Sequence, residues 1–305
     1  MVHGNEPWGD MMLLDWRFDG FPGRVLWVDL TEGTAVAKEI PHDWLIESMG
    51  GKGLATRLLV EWDTTDYDAA MQLQHPVLDR VDVARHPTNP ILFMTGPYQA
   101  STVGSSGRAV VVTRSPLTDV YIDTYIGGNI GHVLRQAGWD GLFITGASDH
   151  LCRLEIVDGC AELHEASELQ GMTTWQVEQA LDDKGECLSI GPAGEHGVRI
   201  ASPLTAGRRA AGRGGTGAAF GFKNLKAVTV KSTTKENVRF ASEASLKSAV
   251  KVQRQEMGLR RRSGDPFYAF GTSRGPIYAS ANGRMPTANY SSQLCINICS
   301  SMAST

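Results

Sequence analysis

Glycine is the residue that most constrains this fold, because it divides the sequence into short apolar runs. It accounts for 34 of the 305 residues, a share well above the usual ~7%. The runs Val25–Leu30, Ile91–Met94 and Leu142–Thr145 each end within three residues of a glycine. Runs this short between turn residues are typical of strands rather than helices. The predicted fold class is therefore α+β, with two packed, mainly antiparallel β-sheets and a few helices.

The pattern changes near the end of the chain. From residue 244 to residue 262, Leu246, Val250 and Met257 recur at helical spacing. We therefore predict a leader at 1–20, a β-rich domain at 21–235 and the incomplete start of an α-helical domain at 242–305.

Composition excludes several classes of protein. A net charge of −4 and a pI near 6.1 argue against a nucleic-acid binder, which is normally basic. The sequence has no apolar stretch long enough for a membrane span, and residues 1–10 lack the basic-then-apolar pattern of a secretory signal. Five cysteines at irregular spacing do not fit a disulfide framework. We expect a cytoplasmic protein without a membrane span and without a nucleic-acid partner.

Two segments combine glycine with arginine. Residues 191–223 hold nine glycines and four arginines, and a second segment runs from Ser105 to Arg108 and resumes at Ile126–Asn129. Glycine lets backbone N–H groups approach an anion closely, and arginine adds donors shaped for phosphate. Together they predict a phosphate or pyrophosphate cradle.

Two other interpretations of the glycines stay open at this point. The dinucleotide pattern G-x-G-x-x-G occurs at Gly212, Gly214 and Gly217, but residues 208–211 separate it from any preceding strand, so the match is weak. Alternatively, the glycines serve only tight turns.

Read in order, several segments resemble the N-terminal half of the tungsten-dependent aldehyde ferredoxin oxidoreductase family. They are GRVLWVDLTEG (23–33), GGKGLATRLL (50–59), NPILFMTGP (89–97), SSGRAVVVTRSPLTD (105–119), IGGNIGHVLRQAGWDGLFITGAS (126–148), GPAGEH (191–196), RRAAGRGGTGAAFGFKNLKAVTVK (208–231) and FGTSRGPIYASANGRMPTANY (270–290). The resemblance covers about residues 20–290, and RAAGRGG with SPLT is its most specific part.

The resemblance implies the fold of the family's N-terminal domain and its cofactors. These are a tungsten bis-molybdopterin (tungstopterin), a magnesium ion bridging the two pterin phosphates, and a 4Fe-4S cluster. Domain 21–235 then binds the tungstopterin, and the cluster is expected from the missing second half. The implied activity is oxidation of a small aldehyde to a carboxylic acid with ferredoxin as electron acceptor, and the implied assembly is a homodimer.

Residue by residue, the resemblance assigns cofactor binding to this domain and assigns no catalytic residue. The cofactor-binding positions are Arg108, Tyr125, Gly127, Gly128, Arg209, Ala210, Gly212, Arg213 and Gly214. Tyr125 and Ala210 are also assigned to magnesium, through backbone contacts. The family has asparagine at the position of Tyr125. Tyrosine can therefore supply the magnesium contact only through its backbone carbonyl.

The cysteines and the length of the chain also differ from those of the family. An ordinary cubane cluster needs four thiolates, and the only pair near the end is Cys295 and Cys299. We expect Cys152, Cys160 and Cys187 to serve packing. Family members are about twice as long, so we expect a truncated or frameshifted member. The alternatives are the tungsten subunit of an aryl-coenzyme-A reductase and a non-catalytic, pterin-binding remnant.

Overall fold

The computed structural model describes residues 20–62, 84–234 and 240–285. The chain separates into two compact units, residues 1–243 and residues 244–305. Most of the predicted leader, and Cys295 with Cys299, lie outside the described residues.

The first unit contains two six-stranded sheets. The first sheet has the order β2-β1-β6-β3-β4-β5. Its strands are β1 (Arg24–Asp29), β2 (Thr34–Glu39), β3 (Ile91–Met94), β4 (Ala109–Arg114), β5 (Tyr121–Ile126) and β6 (Gly141–Thr145). The pair β1–β6 is parallel and the other pairs are antiparallel. Strands β3 and β6 are buried along their whole length, as expected for central strands covered on both faces.

The second sheet has the order β11-β10-β9-β12-β7-β8. Its strands are β7 (Cys152–Val157), β8 (Cys160–Glu165), β9 (Glu186–Ser189), β10 (Leu204–Thr205), β11 (Arg209–Ala210) and β12 (Leu225–Lys231). Only β12–β7 is parallel. The prediction of two mainly antiparallel sheets is confirmed, with one parallel pair in each.

One apolar core joins the two sheets. Leu26 and Ile144 from the first sheet and Leu154 and Val228 from the second belong to the same buried cluster. Burying one such side chain contributes roughly 1.5–3 kcal/mol, so this shared layer is what makes the two sheets one folded unit.

Helices connect the strands. Among the described residues of the first unit they are α1 (His42–Ser48), α2 (Gly51–Trp62), α3 (Ile130–Gln136), α4 (Thr174–Ala180), α5 (Pro192–Glu195) and α6 (Thr216–Phe222). Helix α2 packs in a second buried cluster on the first sheet, whereas α3 and α6 contribute Ile130, Leu134 and Phe220 to the core shared by the two sheets. The sequence favours a break at Gly50–Gly53 and a helix from Leu54, but α2 already begins at Gly51. Gly50 is left-handed (φ 71°), and the Gly51 N–H donates to the Thr95 carbonyl at 2.9 Å, so this glycine pair starts the helix.

A buried ion pair fixes α3 to the start of β1. Arg135 donates to Oδ1 of Asp140 at 2.9 Å, and the other Asp140 oxygen accepts from the backbone N–H groups of Gly23 and Arg24. Burial raises the pKa of Asp140 to about 6, and the Arg135 charge opposes that rise. These bonds compensate for much of the cost of removing the carboxylate from water.

The described part of the second unit is helical. Its helices are α7 (Glu243–Arg262), α8 (Pro266–Phe270) and α9 (Gly275–Ala281). Within α7 only Val250 is buried. Over the described ranges, no helix is both long enough and apolar enough to cross a membrane.

Candidate anion-binding site

The site begins at one end of the β4–β5 pair, where both chain segments leave the first sheet. Ala109 pairs with Ile126, so Arg108 and Gly127, the next residue outward on each strand, emerge at the same end. A methyl group at Gly107 would lie 3.6 Å from the carbonyl oxygen of Gly128. The structure therefore brings the two predicted segments, 105–108 and 126–129, together.

The β10–β11 hairpin then brings Arg209 across the glycine pair. A methyl group at Gly127 would lie 3.6 Å from Cδ of Arg209. At Gly128 (φ 93°) it would lie 3.2 Å from Cγ2 of Thr205 and 3.9 Å from Cγ of Arg209. Glycine at both positions therefore leaves room for the arginine stem to lie against the backbone.

The loop after β11 is attached to the outer strand β5. The Arg213 N–H donates to Oγ1 of Thr124 at 3.4 Å, and Oγ of Ser115 donates to the Gly214 carbonyl at 2.7 Å. Gly214 is left-handed (φ 79°), and a side chain there would collide with Ile122. These contacts set Arg213 beside β5, the strand that leads into Gly127.

The arginines of this surface are not neutralised by the protein. Arg108, Arg209 and Arg213 are exposed, and none forms an ion pair or side-chain hydrogen bond among the residues that the structure describes. The carboxylate on β5, Asp123, is already paired with Lys52 at 2.8 Å. Exposed guanidinium groups beside accessible glycine backbone bind phosphate well.

A magnesium ion at this site would need ligands other than a cluster of protein side chains. Among the described residues no group of three His, Cys, Asp or Glu side chains could hold a metal ion. Tyr125 and Ala210 are both exposed, at the end of β5 and on β11. Backbone carbonyls and phosphate oxygens suit magnesium, so the donor set fits an ion held between the backbone and a bound phosphate.

Comparison with known proteins identifies the family. The sequence model of the aldehyde ferredoxin oxidoreductase N-terminal domain matches residues 25–232. The chain belongs to the aldehyde ferredoxin oxidoreductase family. The match spans both sheets and every residue predicted to bind the cofactor.

Individual members of the aldehyde ferredoxin oxidoreductase family support the assignment. The tungsten-containing aldehyde ferredoxin oxidoreductase of Pyrococcus abyssi is 32% identical over 89% of this chain and 43% of that protein. The enzyme of the same name from Thermococcus kodakarensis is 30% identical over 88% and 42%. The chain thus spans less than half the length of these curated relatives.

A solved structure shares the fold. It is the active-site complex BamBC of benzoyl coenzyme A reductase with 1,5-dienoyl-CoA. The match has a TM-score of 0.61 and 29% identity, and covers 70% of this chain and 31% of that one. Proteins similar to this chain therefore include both aldehyde ferredoxin oxidoreductases and a benzoyl coenzyme A reductase.

The described cysteines do not provide a site for the 4Fe-4S cluster. They lie on three different strands, Cys152 on β7, Cys160 on β8 and Cys187 on β9, and are unpaired. Burial raises the pKa of Cys152 to about 11 and that of Cys187 to about 12, so both thiols stay protonated. The packing role predicted for these two agrees with their burial, but it is wrong for Cys160, which is exposed.

Sequence reasoning missed a cavity beside this surface. This open cavity has a volume of about 630 Å³ and lies between α4 and the tip of the β10–β11 hairpin. Its lining residues are Trp175, Glu178, Gln179, Asp182, Ala206, Gly207 and Arg208. The helical spacing of Trp175, Glu178 and Gln179 places these three on one face of α4, and this spacing was the available signal, whereas Asp182 lies beyond the end of the helix.

Proposed function

We propose that this chain is the part of a tungsten oxidoreductase that holds the anionic end of a tungstopterin cofactor. The observation that carries the proposal is the set of three unpaired arginines around Gly127 and Gly128. Arg108 immediately precedes β4, Arg209 lies on β11 and Arg213 lies in the loop attached to β5. Residues distant in sequence thus bring three arginines to the same end of the β4–β5 pair, with the Arg209 stem against Gly127, Arg108 next to the end of β4 and the Arg213 backbone bound to Thr124 of β5.

The residues have separable tasks in this proposal. The guanidinium groups of Arg108, Arg209 and Arg213 bind the pterin phosphates, while the N–H groups near Gly127, Gly128, Gly212 and Gly214 complete the contact. The carbonyl groups of Tyr125 and Ala210 hold magnesium. The protein thereby orients the cofactor, which supplies the redox chemistry itself.

For the whole protein we propose aldehyde:ferredoxin oxidoreductase activity. When bound, the tungsten centre supplies two-electron chemistry in which an aldehyde and water give a carboxylic acid, two protons and two electrons. A 4Fe-4S cluster, held by residues outside this domain, would supply the electron transfer to ferredoxin. The names of the relatives in Pyrococcus and Thermococcus support this reaction. A small aldehyde substrate, a homodimer and a cytoplasmic location remain predictions.

The alternative is the tungsten subunit of an aryl-coenzyme-A reductase, which the benzoyl coenzyme A reductase match favours. Ferredoxin reduction assayed with short aldehydes, and ring reduction assayed with an aryl-coenzyme-A, distinguish the two in the protein that carries this domain. Activity with neither substrate would favour the non-catalytic remnant.

The binding proposal has a direct test. We expect magnesium pyrophosphate to bind the 305-residue chain, and Arg209→Ala and Arg213→Ala each to weaken that binding by about tenfold or more, because each removes a charge-assisted donor. Isothermal titration calorimetry measures the change. The matched control is Arg254→Ala, which removes an exposed arginine from α7 and should leave the affinity unchanged. Equal weakening by all three variants would show a nonspecific charge effect and contradict the site.

A further inference from the structure

We infer that the open cavity between α4 and the tip of the β10–β11 hairpin binds an α-amino acid with an aromatic side chain, in its zwitterionic form. The inference goes beyond the proposed function, because no residue that lines the cavity belongs to the anion site. Three features of the cavity carry it: carboxylates on the side of α4, a guanidinium on the side of the hairpin, and an exposed indole.

The cavity holds opposite charges that do not pair with each other. Glu178 on α4 and Asp182, which begins the short 3-10 turn Asp182–Lys184 beyond the end of that helix, supply carboxylates. Arg208 supplies a guanidinium from the hairpin tip. None of the three forms an ion pair among the residues with described coordinates.

The unpaired charges select a ligand that carries both signs. A ligand with a single charge pairs with one side of the cavity and meets a like charge on the other, which disfavours its binding. In an amino acid, the ammonium group binds the carboxylates of the cavity and the carboxylate group binds the guanidinium, both through charge-assisted hydrogen bonds.

Trp175 provides the surface for the aromatic side chain of the ligand. Its own side chain is 60% exposed, although tryptophan is a large apolar group that proteins normally cover. A methyl group at Gly207 would lie 3.8 Å from Cζ3 and 4.0 Å from Cε3 of Trp175, so the hairpin tip reaches the edge of the six-membered ring. An aromatic group stacked on this indole would remove apolar surface of both rings from water.

The two sides of the cavity are close enough for one small molecule to contact both. A methyl group at Gly207 would lie 3.7 Å from Oε2 of Glu178, and Arg208 is the next residue of the hairpin. The Arg208 N–H donates to the Ala206 carbonyl at 2.8 Å, which holds the tip in a tight turn. The cavity volume of about 630 Å³ falls within the usual range for small-molecule sites.

The neighbouring arginines of the hairpin belong to different sites. Arg208 lines the cavity, whereas the stem of Arg209 lies against Gly127. Successive side chains along an extended strand point to opposite faces, which explains why the two arginines separate. The amino acid and the anion at Gly127 and Gly128 therefore bind to different residues, and their binding can be measured independently.

Calorimetry with the 305-residue chain tests the inference through ligands that differ by one charged group. L-phenylalanine carries both charges, phenethylamine lacks the carboxylate group, and 3-phenylpropionate lacks the ammonium group. We expect L-phenylalanine to bind about tenfold or more tightly than either analogue, because each analogue leaves a charged group of the cavity without its partner.

Variants of the lining assign each charge to its partner. Glu178→Gln should reduce the advantage of L-phenylalanine over 3-phenylpropionate, and Arg208→Gln should reduce its advantage over phenethylamine. Trp175→Ala should weaken binding of L-phenylalanine about tenfold. Glu168→Gln and Arg254→Gln, which remove exposed charges outside the cavity, are the controls and should change none of these affinities. Urea denaturation checks that each variant is folded.

The outcomes separate the possible kinds of site. Equal affinity for phenethylamine would show a site for cations alone, and equal affinity for 3-phenylpropionate a site for anions alone. Either result, absence of L-phenylalanine binding, or cavity variants that behave like the controls would overturn the inference. Because magnesium pyrophosphate binding is measured separately on the Arg209 and Arg213 variants, failure here is distinguishable from failure of the proposed function.

Discussion

At the scale of single residues, the site depends on places where a side chain is missing. Gly128 combines a left-handed backbone (φ 93°) with a position 3.2 Å from Cγ2 of Thr205 for any added methyl group. Either feature alone disfavours another residue, since a left-handed non-glycine residue costs roughly 1–2 kcal/mol. A methyl group at this position would displace both Thr205 and the stem of Arg209. A substitution at Gly128 would therefore also move one of the positive charges of the anion site.

We therefore expect Gly128→Ala to lower the free energy of unfolding by about 1–2 kcal/mol and also to weaken magnesium pyrophosphate binding. Urea denaturation and calorimetry measure the two effects. Gly96→Ala is the matched control, because a methyl group at Gly96 has nothing within 4 Å and its φ is not positive. A Gly128→Ala chain with unchanged pyrophosphate affinity would show that Arg209 does not depend on this contact.

At the scale of elements, α4 presents the cavity and has a well-defined start. Thr173 Oγ1 accepts from the Gln176 N–H at 3.4 Å, and Gln176 Oε1 accepts from the Thr173 N–H at 2.9 Å. This reciprocal capping box satisfies two N–H groups that the helix cannot pair itself. It fixes the first turn, which contains Trp175.

Thr173→Ala removes half of that arrangement and should cost about 1 kcal/mol of unfolding free energy. Gln176→Glu keeps an acceptor at the third helical position and should retain most of the stability. Urea denaturation compares both variants with the unaltered chain. Equal losses in the two would mean that the side chain at 176 matters for a reason other than capping.

Some elements were predictable from sequence and some were not. The hairpins β1–β2 and β7–β8 are local, and glycine or Asp-Gly marks their turns. The parallel pairs β1–β6 and β7–β12 join segments far apart in the chain, and no local pattern specifies them. Likewise, glycine and arginine composition indicated an anion site, but the contact between Gly127 and Arg209 follows only from how the two sheets pack.

At the scale of the whole molecule, the first unit buries a lysine that has no carboxylate partner at hydrogen-bonding distance among the residues that the structure describes. Lys223 is 2% exposed, and its Nζ donates to the carbonyls of Pro87 at 2.7 Å and Gly146 at 2.8 Å. Burial lowers the pKa of Lys223 to about 7, and the charge of Asp29 opposes that change. The lysine connects three segments of the first unit, and protonation of its amine therefore affects the stability of the unit as a whole.

Lys223 makes the unfolding free energy depend on pH, because the folded and unfolded chains bind different numbers of protons. Between pH 7 and the ordinary lysine pKa of 10.5, the unfolded chain binds this proton and the folded chain does not. The contribution of Lys223 to the unfolding free energy therefore rises with pH across that window. Cys152 and Cys187, whose pKa values burial raises to about 11 and 12, act oppositely, because above their ordinary pKa of 9 the unfolded chain loses protons that the folded chain keeps.

A comparison with Lys223→Met isolates the lysine. The variant leaves two buried carbonyls without this donor and should be less stable, by about 1–3 kcal/mol at pH 8. The cysteines and Asp140 are common to both chains and cancel in the difference. We therefore expect the difference in unfolding free energy, chain minus variant, to increase from pH 7 to pH 9. All seven tryptophans precede residue 244, so tryptophan fluorescence during urea denaturation reports on the first unit. A difference that stays constant over that range would mean that Lys223 keeps its proton when buried, with the two carbonyls stabilising the charged form.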